Sequence, residues 1–234
     1  MIFCFESDFP SAQHLGADSC YIINGEEYAM RKLKIQVQMS IDGYISGVNG
    51  ELDWLTMKWD NELRKYVYNL NRPVDCIIMG KNFAGSFIDT WEKRLNDPDT
   101  IDSYARKMVE TPKIVFSRSL EQVSWKNTHL NTGYLDEEIS RIKKIKGRDI
   151  IAYGGITFVS SLIRGGHVDE YNFFVNPVIL GKGRSIFSHL ENMLKLELVY
   201  STHFDCGITA LCYVQKKQHE NSEPVGSISG SAGN

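Results

Sequence analysis

The residues best suited to chemistry sit where apolar runs stop. Ile150-Ile151-Ala152-Tyr153 meets Gly154-Gly155 and then Ile156-Thr157-Phe158-Val159, which reads as a buried strand, a glycine turn and a helix start. Two glycines remove side chains at the strand end, permit unusual backbone angles and let a ligand approach the main chain. The helix start adds free N–H groups and the positive end of a dipole, so the segment suits a phosphate or pyrophosphate. Two further strand ends carry cations: Met79-Gly80-Lys81 and Phe116-Ser117-Arg118. A cation beside a hydroxyl suits a phosphate monoester. Taken singly, these are a steric turn and two solvated loop charges; taken together, that plain reading loses ground. The usual nucleotide fingerprints are absent. Gly181-Lys182-Gly183-Arg184-Ser185-Ile186 begins a G-x-G-x-x-G pattern but lacks its third glycine, and there is no Walker motif.

These positions need a scaffold of alternating strands and helices. Strands are expected near 34–40, 74–79, 113–117, 127–130, 150–153, 171–177, 194–202 and 209–216. Helices are expected near 58–70, 102–109, 136–146 and 157–164, with only a short helix in the loop after Met79. The alternation predicts a single three-layer α/β domain with a mostly parallel central sheet. The last two strands read as a hairpin turning near Asp205-Cys206-Gly207, which adds an antiparallel C-terminal edge strand. Open sheets of this kind bind ligands at the carboxyl ends of their strands. Residues 1–30 lack clear periodicity and read as a disordered or non-native extension, 31–217 as the domain, and 218–234 as a flexible tail.

Composition narrows the function classes. The chain has 234 residues, 42% hydrophobic and 24% charged, with a net charge of −3. That balance gives no general attraction to nucleic acid or anionic membranes, so an anion site must be local. No apolar run reaches the ~20 residues that span a bilayer. The 5 cysteines form no C-x-x-C pair and the 6 histidines no H-x-x-x-H pair, so no metal site is expected, and a cytoplasmic protein with reduced thiols is.

Met39-Ser40-Ile41-Asp42-Gly43-Tyr44-Ile45, Gly50-Glu51-Leu52-Asp53-Trp54-Leu55, Met79-Gly80-Lys81, Ser117-Arg118 and Tyr153-Gly154-Gly155 together resemble the dihydrofolate-reductase-like superfamily. Val168-Asp169-Glu170 and Pro177-Val178-Ile179-Leu180-Gly181-Lys182-Gly183-Arg184-Ser185-Ile186-Phe187 are similar to the branch holding the reductase domain of bacterial riboflavin biosynthesis. The resemblance covers about residues 31–216 and implies NADPH and hydride transfer to a small heterocycle, either a ribosylaminopyrimidine or a pterin-like compound. It implies that Lys81, Ser117 and Arg118 hold the 2′-phosphate. Gly154, Gly155 and the N–H groups of Ile156 and Thr157 would hold the pyrophosphate, with Gly80 and Tyr153 in the same set. Gln38 and Met39 would lie beside the nicotinamide. Asp60 stands nearest the place of the family's acid on the first helix, and Asp42 nearer the nicotinamide; these are the catalytic candidates. Trp54 is a candidate substrate wall and Arg184 a contact for a phosphorylated substrate. The family also suggests a homodimer. Lys81 in place of the commoner Arg keeps the charge but loses bidentate geometry. A nucleotide-binding protein without turnover and a homodimeric interaction module on the same fold are the alternatives.

Overall fold

The computed structural model describes the backbone of residues 13–15, 20–23, 26–98 and 100–216, and side chains from residue 30 onward within these ranges. Ahead of the domain, β1 (Gln13–Leu15), β2 (Cys20–Ile23) and β3 (Glu26–Ala29) pair antiparallel as a small meander. Part of the stretch expected to be an unstructured extension is therefore paired. Residues 1–12 and the tail expected from 218 lie outside the described residues.

The domain follows in chain order as β4 (Leu33–Met39), α1 (Asn61–Asn71), β5 (Val74–Gly80), α2 (Lys81–Asn96), α3 (Ser103–Glu110), β6 (Lys113–Phe116), β7 (Thr128–Asn131), α4 (Leu135–Lys143), β8 (Asp149–Tyr153), α5 (Ile156–Arg164), β9 (Glu170–Val175), β10 (Leu196–His203) and β11 (Thr209–Gln215). In space the strands run β10-β11-β9-β4-β8-β5-β6-β7. Every pairing from β9 across to β7 is parallel, and β11 runs against both of its neighbours. The mostly parallel sheet with an antiparallel C-terminal edge is thus as expected. The last strand of the chain lies one place in, leaving β10 outermost.

Alternate side chains of each strand feed opposite faces, as the strand period requires. Ile35, Val37, Met39, Ile78, Ile150 and Ala152 pack with Ile139 and Ile142 of α4 and Val159, Leu162 and Ile163 of α5. On the other face the apolar surface is split. Ile77, Met79, Val115 and Ile151 pack under α2 and α3, whereas Phe174 and Ala210 pack under Leu63, Val67 and Leu70 of α1. Between the two halves β4 presents Gln36 and Gln38, both on that face.

One element departs from the sequence expectation. The loop with a short helix after β5 is instead α2, 16 residues long. Phe83, Phe87 and Trp91 follow one another at four-residue intervals along one side of it, with Phe83–Phe87 and Phe87–Trp91 ring centroids 5.7 and 6.2 Å apart. Gly85, Asp89 and Thr90 are poor helix formers, so intrinsic propensity hid an element that tertiary packing imposes.

Candidate active site

The strands β8, β5 and β6 are neighbours in the sheet, so their carboxyl ends open side by side. A helix starts directly after two of them. The N-cap of α2 is Gly80, that of α5 is Gly155 and that of α4 is Tyr134, and none of the three receives a side-chain cap. By contrast, Asp60 caps α1 through Leu63 N–H at 2.8 Å, and Asp102 caps α3 through Ala105 N–H at 2.6 Å. Gly80, Tyr134 and Gly155 all line one cavity of about 600 Å³. The ends of α2 and α5 thus turn uncapped N–H groups and positive dipoles toward a single space, while at α4 the first-turn carboxylates Asp136, Glu137 and Glu138 offset the dipole and Asp136 lines the cavity.

Side chains add to that field. Lys81, Ser117, Arg118, Thr157 and Arg164 line the same cavity. Lys81 Nζ donates to Ser119 Oγ at 2.5 Å, and Ser117 Oγ accepts the N–H groups of Ser119 and Leu120 at 3.2 and 3.1 Å. The turn after β6 is thereby closed on the Ser117 hydroxyl, which fixes where Arg118 leaves the main chain. The Arg118 guanidinium stands 5.8 Å from the centre of the exposed Tyr134 ring, leaving a flat cationic and aromatic surface at the mouth.

The structure divides the glycine turn into two roles. Neither Gly154 nor Gly155 has a positive φ, so unusual backbone angles do not explain the pair. A Cβ on Gly155 would meet nothing within 4 Å, and Gly155 lines the cavity. A Cβ on Gly154 would lie 2.9 Å from Phe158 Cδ1, and one on Gly80 would lie 3.1 Å from Phe158 Cβ. Gly154 and Gly80 therefore make room for Phe158, and Gly155 alone keeps the backbone open to a ligand.

A second cavity, of about 540 Å³, fills the gap in the apolar layer. Its floor is Gln36 and Gln38 of β4 with Tyr153 of β8, and its walls include Trp59, Val67, Phe87, Trp91 and Tyr104. The Tyr153 ring stacks on Phe87 at 5.1 Å, and its hydroxyl lies 2.9 Å from Gln36 Oε1 and 3.0 Å from Asn71 Oδ1. Burial pushes the Tyr153 hydroxyl up to about 12 and that of Tyr104 well above its ordinary value, so both stay neutral. The carboxylate among the lining residues is Asp102, whose oxygens serve Ala105 N–H and, at 2.6 Å, Arg94. Arg64, Lys65 and Arg94 are the cationic members of the lining.

A family model for the RibD C-terminal domain matches residues 31–210 of this chain. The chain belongs to the RibD C-terminal domain family. It is 31% identical over 186 residues to the uncharacterized protein YyaP of Bacillus subtilis, covering 78% of this chain and 94% of that one. It is 25% identical over 185 residues to the riboflavin biosynthesis protein RibD of Corynebacterium ammoniagenes, over 76% of this chain and 49% of that longer one. Among solved structures it is similar to a putative riboflavin biosynthesis protein from Shewanella sp. PV-4, with a TM-score of 0.64, 23% identity, and coverage of 80% of this chain and 99% of that one. These likenesses bear out the resemblance to the riboflavin-reductase branch.

In this member of the RibD C-terminal domain family the sequence candidates fall into three places. Gly80, Lys81, Ser117, Arg118, Gly155 and Thr157 gather at the first cavity. Gln38 and Tyr153 line the second. Met39 turns its side chain into the core on the opposite face, 7% exposed, and its carbonyl accepts Asn176 N–H at 2.8 Å. Gly154 and Ile156, which flank Gly155, are not among the lining residues of either cavity.

Asp42, Asp60, Trp54 and Arg184 line neither cavity. Asp60 Oδ1 caps α1 and its Oδ2 accepts Cys206 N–H at 3.0 Å, which ties that helix to the β10–β11 turn. Those two backbone bonds, Leu63 first, hold its carboxyl below the usual range. Asp42 accepts Leu180 N–H at 3.1 Å and Gly181 N–H at 2.7 Å. Arg184 donates from Nε to Val48 O at 2.9 Å, and its backbone pairs with Ser46. A Cβ on Gly183 would lie 2.4 Å from Ser46 O. The Gly181-Lys182-Gly183-Arg184 motif and Asp42 are thus one clasp that joins the loop after β4 to the loop after β9. Trp54 Nε1 donates to Glu51 O at 3.1 Å, and the indoles that wall the second cavity are those of Trp59 and Trp91.

Sequence reading missed Gln36, Trp59, Asn71, Tyr104, Tyr134 and Arg164. One signal for the second cavity was present. A central parallel strand buried on both faces reads as a continuous apolar run. β4 instead alternates as Ile35-Gln36-Val37-Gln38-Met39, so one of its faces meets something other than core.

Proposed function

We propose that this chain is an NADPH-dependent reductase of a small heterocycle, of the ribosylaminopyrimidine kind. One observation carries the reading. The N-termini of α2 and α5, without side-chain caps, together with Lys81, Arg118 and Arg164, surround one cavity at the strand ends. Such a field fits the several phosphates of a dinucleotide. Lys81, Ser117 and Arg118 would hold the 2′-phosphate, and the backbone at Gly155 and Thr157 the pyrophosphate. NADPH supplies a hydride when bound. The chain supplies position and dryness. Gln38 and Tyr153 form the floor on which the acceptor ring lies, and Trp59, Phe87 and Trp91 exclude water around it.

The ribosylaminopyrimidine is favoured over a pterin-like acceptor by the charge of the lining. Arg64 and Lys65 of that lining are cations that a phosphate on the acceptor could use, and the carboxylate there, Asp102, is already engaged by Ala105 and Arg94, which leaves no acid for a protonated pterin ring. Supporting the same reading, a solved relative from Thermotoga maritima is named as a diaminohydroxyphosphoribosylaminopyrimidine deaminase/5-amino-6-(5-phosphoribosylamino)uracil reductase; it aligns with a TM-score of 0.58 at 16% identity over 80% of this chain and 57% of its own. The chain is read here as a homodimer. Its edge strand β10 exposes Leu198, Val199 and Tyr200, an apolar surface that a second copy would cover.

The test is direct. NADPH titrated into the purified chain binds in the micromolar range, and a phosphorylated ribosylaminopyrimidine then causes the nicotinamide absorbance to decay. Binding without decay for any acceptor supports a non-catalytic nucleotide-binding protein instead. No binding at millimolar NADPH ends both readings. Light scattering reports the oligomeric state in the same samples.

A further inference from the structure

The floor of the second cavity contains a relay of amides whose polarity is set by main-chain groups. Asn176 follows β9 and is fully buried at 0% exposure. Its Oδ1 accepts Thr56 N–H at 3.0 Å. Its Nδ2 faces Gln38 Oε1 at 2.8 Å, Phe174 O at 3.2 Å and Met39 O at 3.4 Å. Turning this amide over would aim its oxygen at two backbone carbonyls and leave the Thr56 N–H facing an NH2 group. Main-chain groups cannot exchange donor for acceptor, so Asn176 has one orientation. Gln38 must therefore give its oxygen to Asn176. Its own Nε2 is buried and has no hydrogen-bond partner among the described residues. A buried donor left unmatched is costly, which favours a ligand atom that accepts from it. Gln36, two residues earlier on the same face, is held alike: its Oε1 accepts Asn71 Nδ2 at 3.2 Å and Tyr153 Oη at 2.9 Å.

The geometry points to Gln38 as a specificity-determining residue that presents a hydrogen-bond donor to the ring of the substrate, with Asn176 as the positioning residue that prevents it from presenting an acceptor. This rests on the second cavity being the substrate site. The ring edge that meets β4 is then a carbonyl, and an amino group in its place is rejected. Rejection follows because an amino edge would leave two donors facing each other. Thr56 extends the arrangement to the loop ahead of α1. Its N–H fixes Asn176, its C=O accepts Trp59 Nε1 at 2.9 Å, and Trp59 walls the same cavity.

The test uses two probes of one shape and opposite polarity, 5,6-diaminouracil and 2,4,5,6-tetraaminopyrimidine, titrated into the full chain without cofactor. Quenching of Trp59 and Trp91 reports binding. The native chain binds the uracil at least tenfold more tightly. Gln38→Glu keeps an oxygen for Asn176 and places a second one toward the ring, so the preference inverts. Gln38→Met removes the donor with little change of volume and brings the ratio to within threefold of unity; it also serves if the charged variant fails to fold. Asn176→Asp, where it folds, turns the Gln38 amide around and inverts the preference without altering Gln38. Equal binding of the probes by the native chain, a preference for the tetraamine, or no binding of either at millimolar concentration overturns the inference. So does a Gln38→Glu chain whose probe ratio is unchanged while its NADPH affinity falls tenfold, since the amide would then serve the nicotinamide. The reductase reading fails separately, by absence of NADPH binding to the native chain.

Discussion

The two cavities are built on opposite principles. The first is made of main-chain N–H groups, helix dipoles and a few long cations, and it lies at the ends of strands. The second is made of side chains from β4, from the end of β8 and from α1, α2 and α3, and the polar atoms of its floor are neutral amides and a phenol. A site for phosphates can be specified by short local motifs, because a glycine turn or a cation after a strand acts through the adjacent backbone. A site for a neutral ring needs groups from distant parts of the chain held in register by packing. The first cavity therefore depends on charge at a few positions, whereas the second depends on the orientation of single amides.

The largest expected effect falls on the first cavity. Each lost charge-assisted contact is worth about 1.5–3 kcal/mol, so Lys81→Ala with Arg118→Ala weakens NADPH by about a hundredfold or more. NADH, which has no 2′-phosphate, weakens by less than about threefold. Isothermal calorimetry with both coenzymes decides it. An equal loss for the two coenzymes removes these cations from the 2′-phosphate and breaks the division drawn between the cavities.

The glycine pair allows a finer cut. Gly154→Ala places a methyl 2.9 Å from the Phe158 ring, so the strand and α5 must part or the ring must move. Overpacking of that sort costs about 1–3 kcal/mol, and Phe158→Leu in the same chain restores part of it. Gly155→Ala meets open space and changes stability by about 1 kcal/mol or less, as an N-cap substitution. It nevertheless lowers NADPH affinity, because its methyl occupies the space a pyrophosphate would use. Urea unfolding and NADPH titration of both variants separate a packing glycine from a ligand glycine. If Gly155→Ala leaves affinity unchanged, the pyrophosphate does not approach there.

This contrast also explains how much was legible beforehand. The alternation of strands and helices, the parallel sheet, the terminal hairpin and the cluster of Lys81, Ser117, Arg118 and Gly155 could all be read, since each depends on periodicity or on residues next to a strand end. The second cavity could be read only in part, through Gln38, Tyr153 and the alternation of β4. Asn71, Tyr104 and Tyr153 converge on it from three elements, and nothing local marks Asn71 as other than a helix-terminal residue. α2 was concealed by its poor helix formers. Asp42 and Arg184 attracted attention as charges beside glycines, and the structure uses both to join two loops, a task with the same local signature as a ligand contact.

Asp60 tests whether the first helix contributes an acid or only a cap. Both of its oxygens bind backbone N–H groups, so Asp60→Ala lowers the melting temperature by several degrees and leaves NADPH affinity within twofold. Asp60→Asn retains an acceptor and recovers part of the stability. The folded carboxyl is held below its unfolded value. Its contribution is therefore complete above the unfolded value and is lost as pH falls through the folded one, a loss absent from the Ala variant. A large fall in turnover for Asp60→Asn with unchanged stability would make it an acid of the reaction instead.

The smallest effect comes from the floor of the second cavity at high pH. Burial holds the Tyr153 hydroxyl at about 12, against about 10 for a tyrosine in the unfolded chain. Between those values the unfolded chain has shed a proton that the folded chain keeps. Stability therefore falls as pH rises above about 10, by at most about 1.4 kcal/mol per unit for this group, and is flat with respect to it below. Tyr153→Phe keeps the stack on Phe87 and removes that slope, at the cost of leaving Gln36 Oε1 and Asn71 Oδ1 without its hydroxyl. Urea midpoints from pH 8 to 11 in the two chains should converge as the pH rises. If the native and variant curves run parallel throughout, the hydroxyl is reached by water and the floor of the second cavity is wetter than its aromatic walls imply.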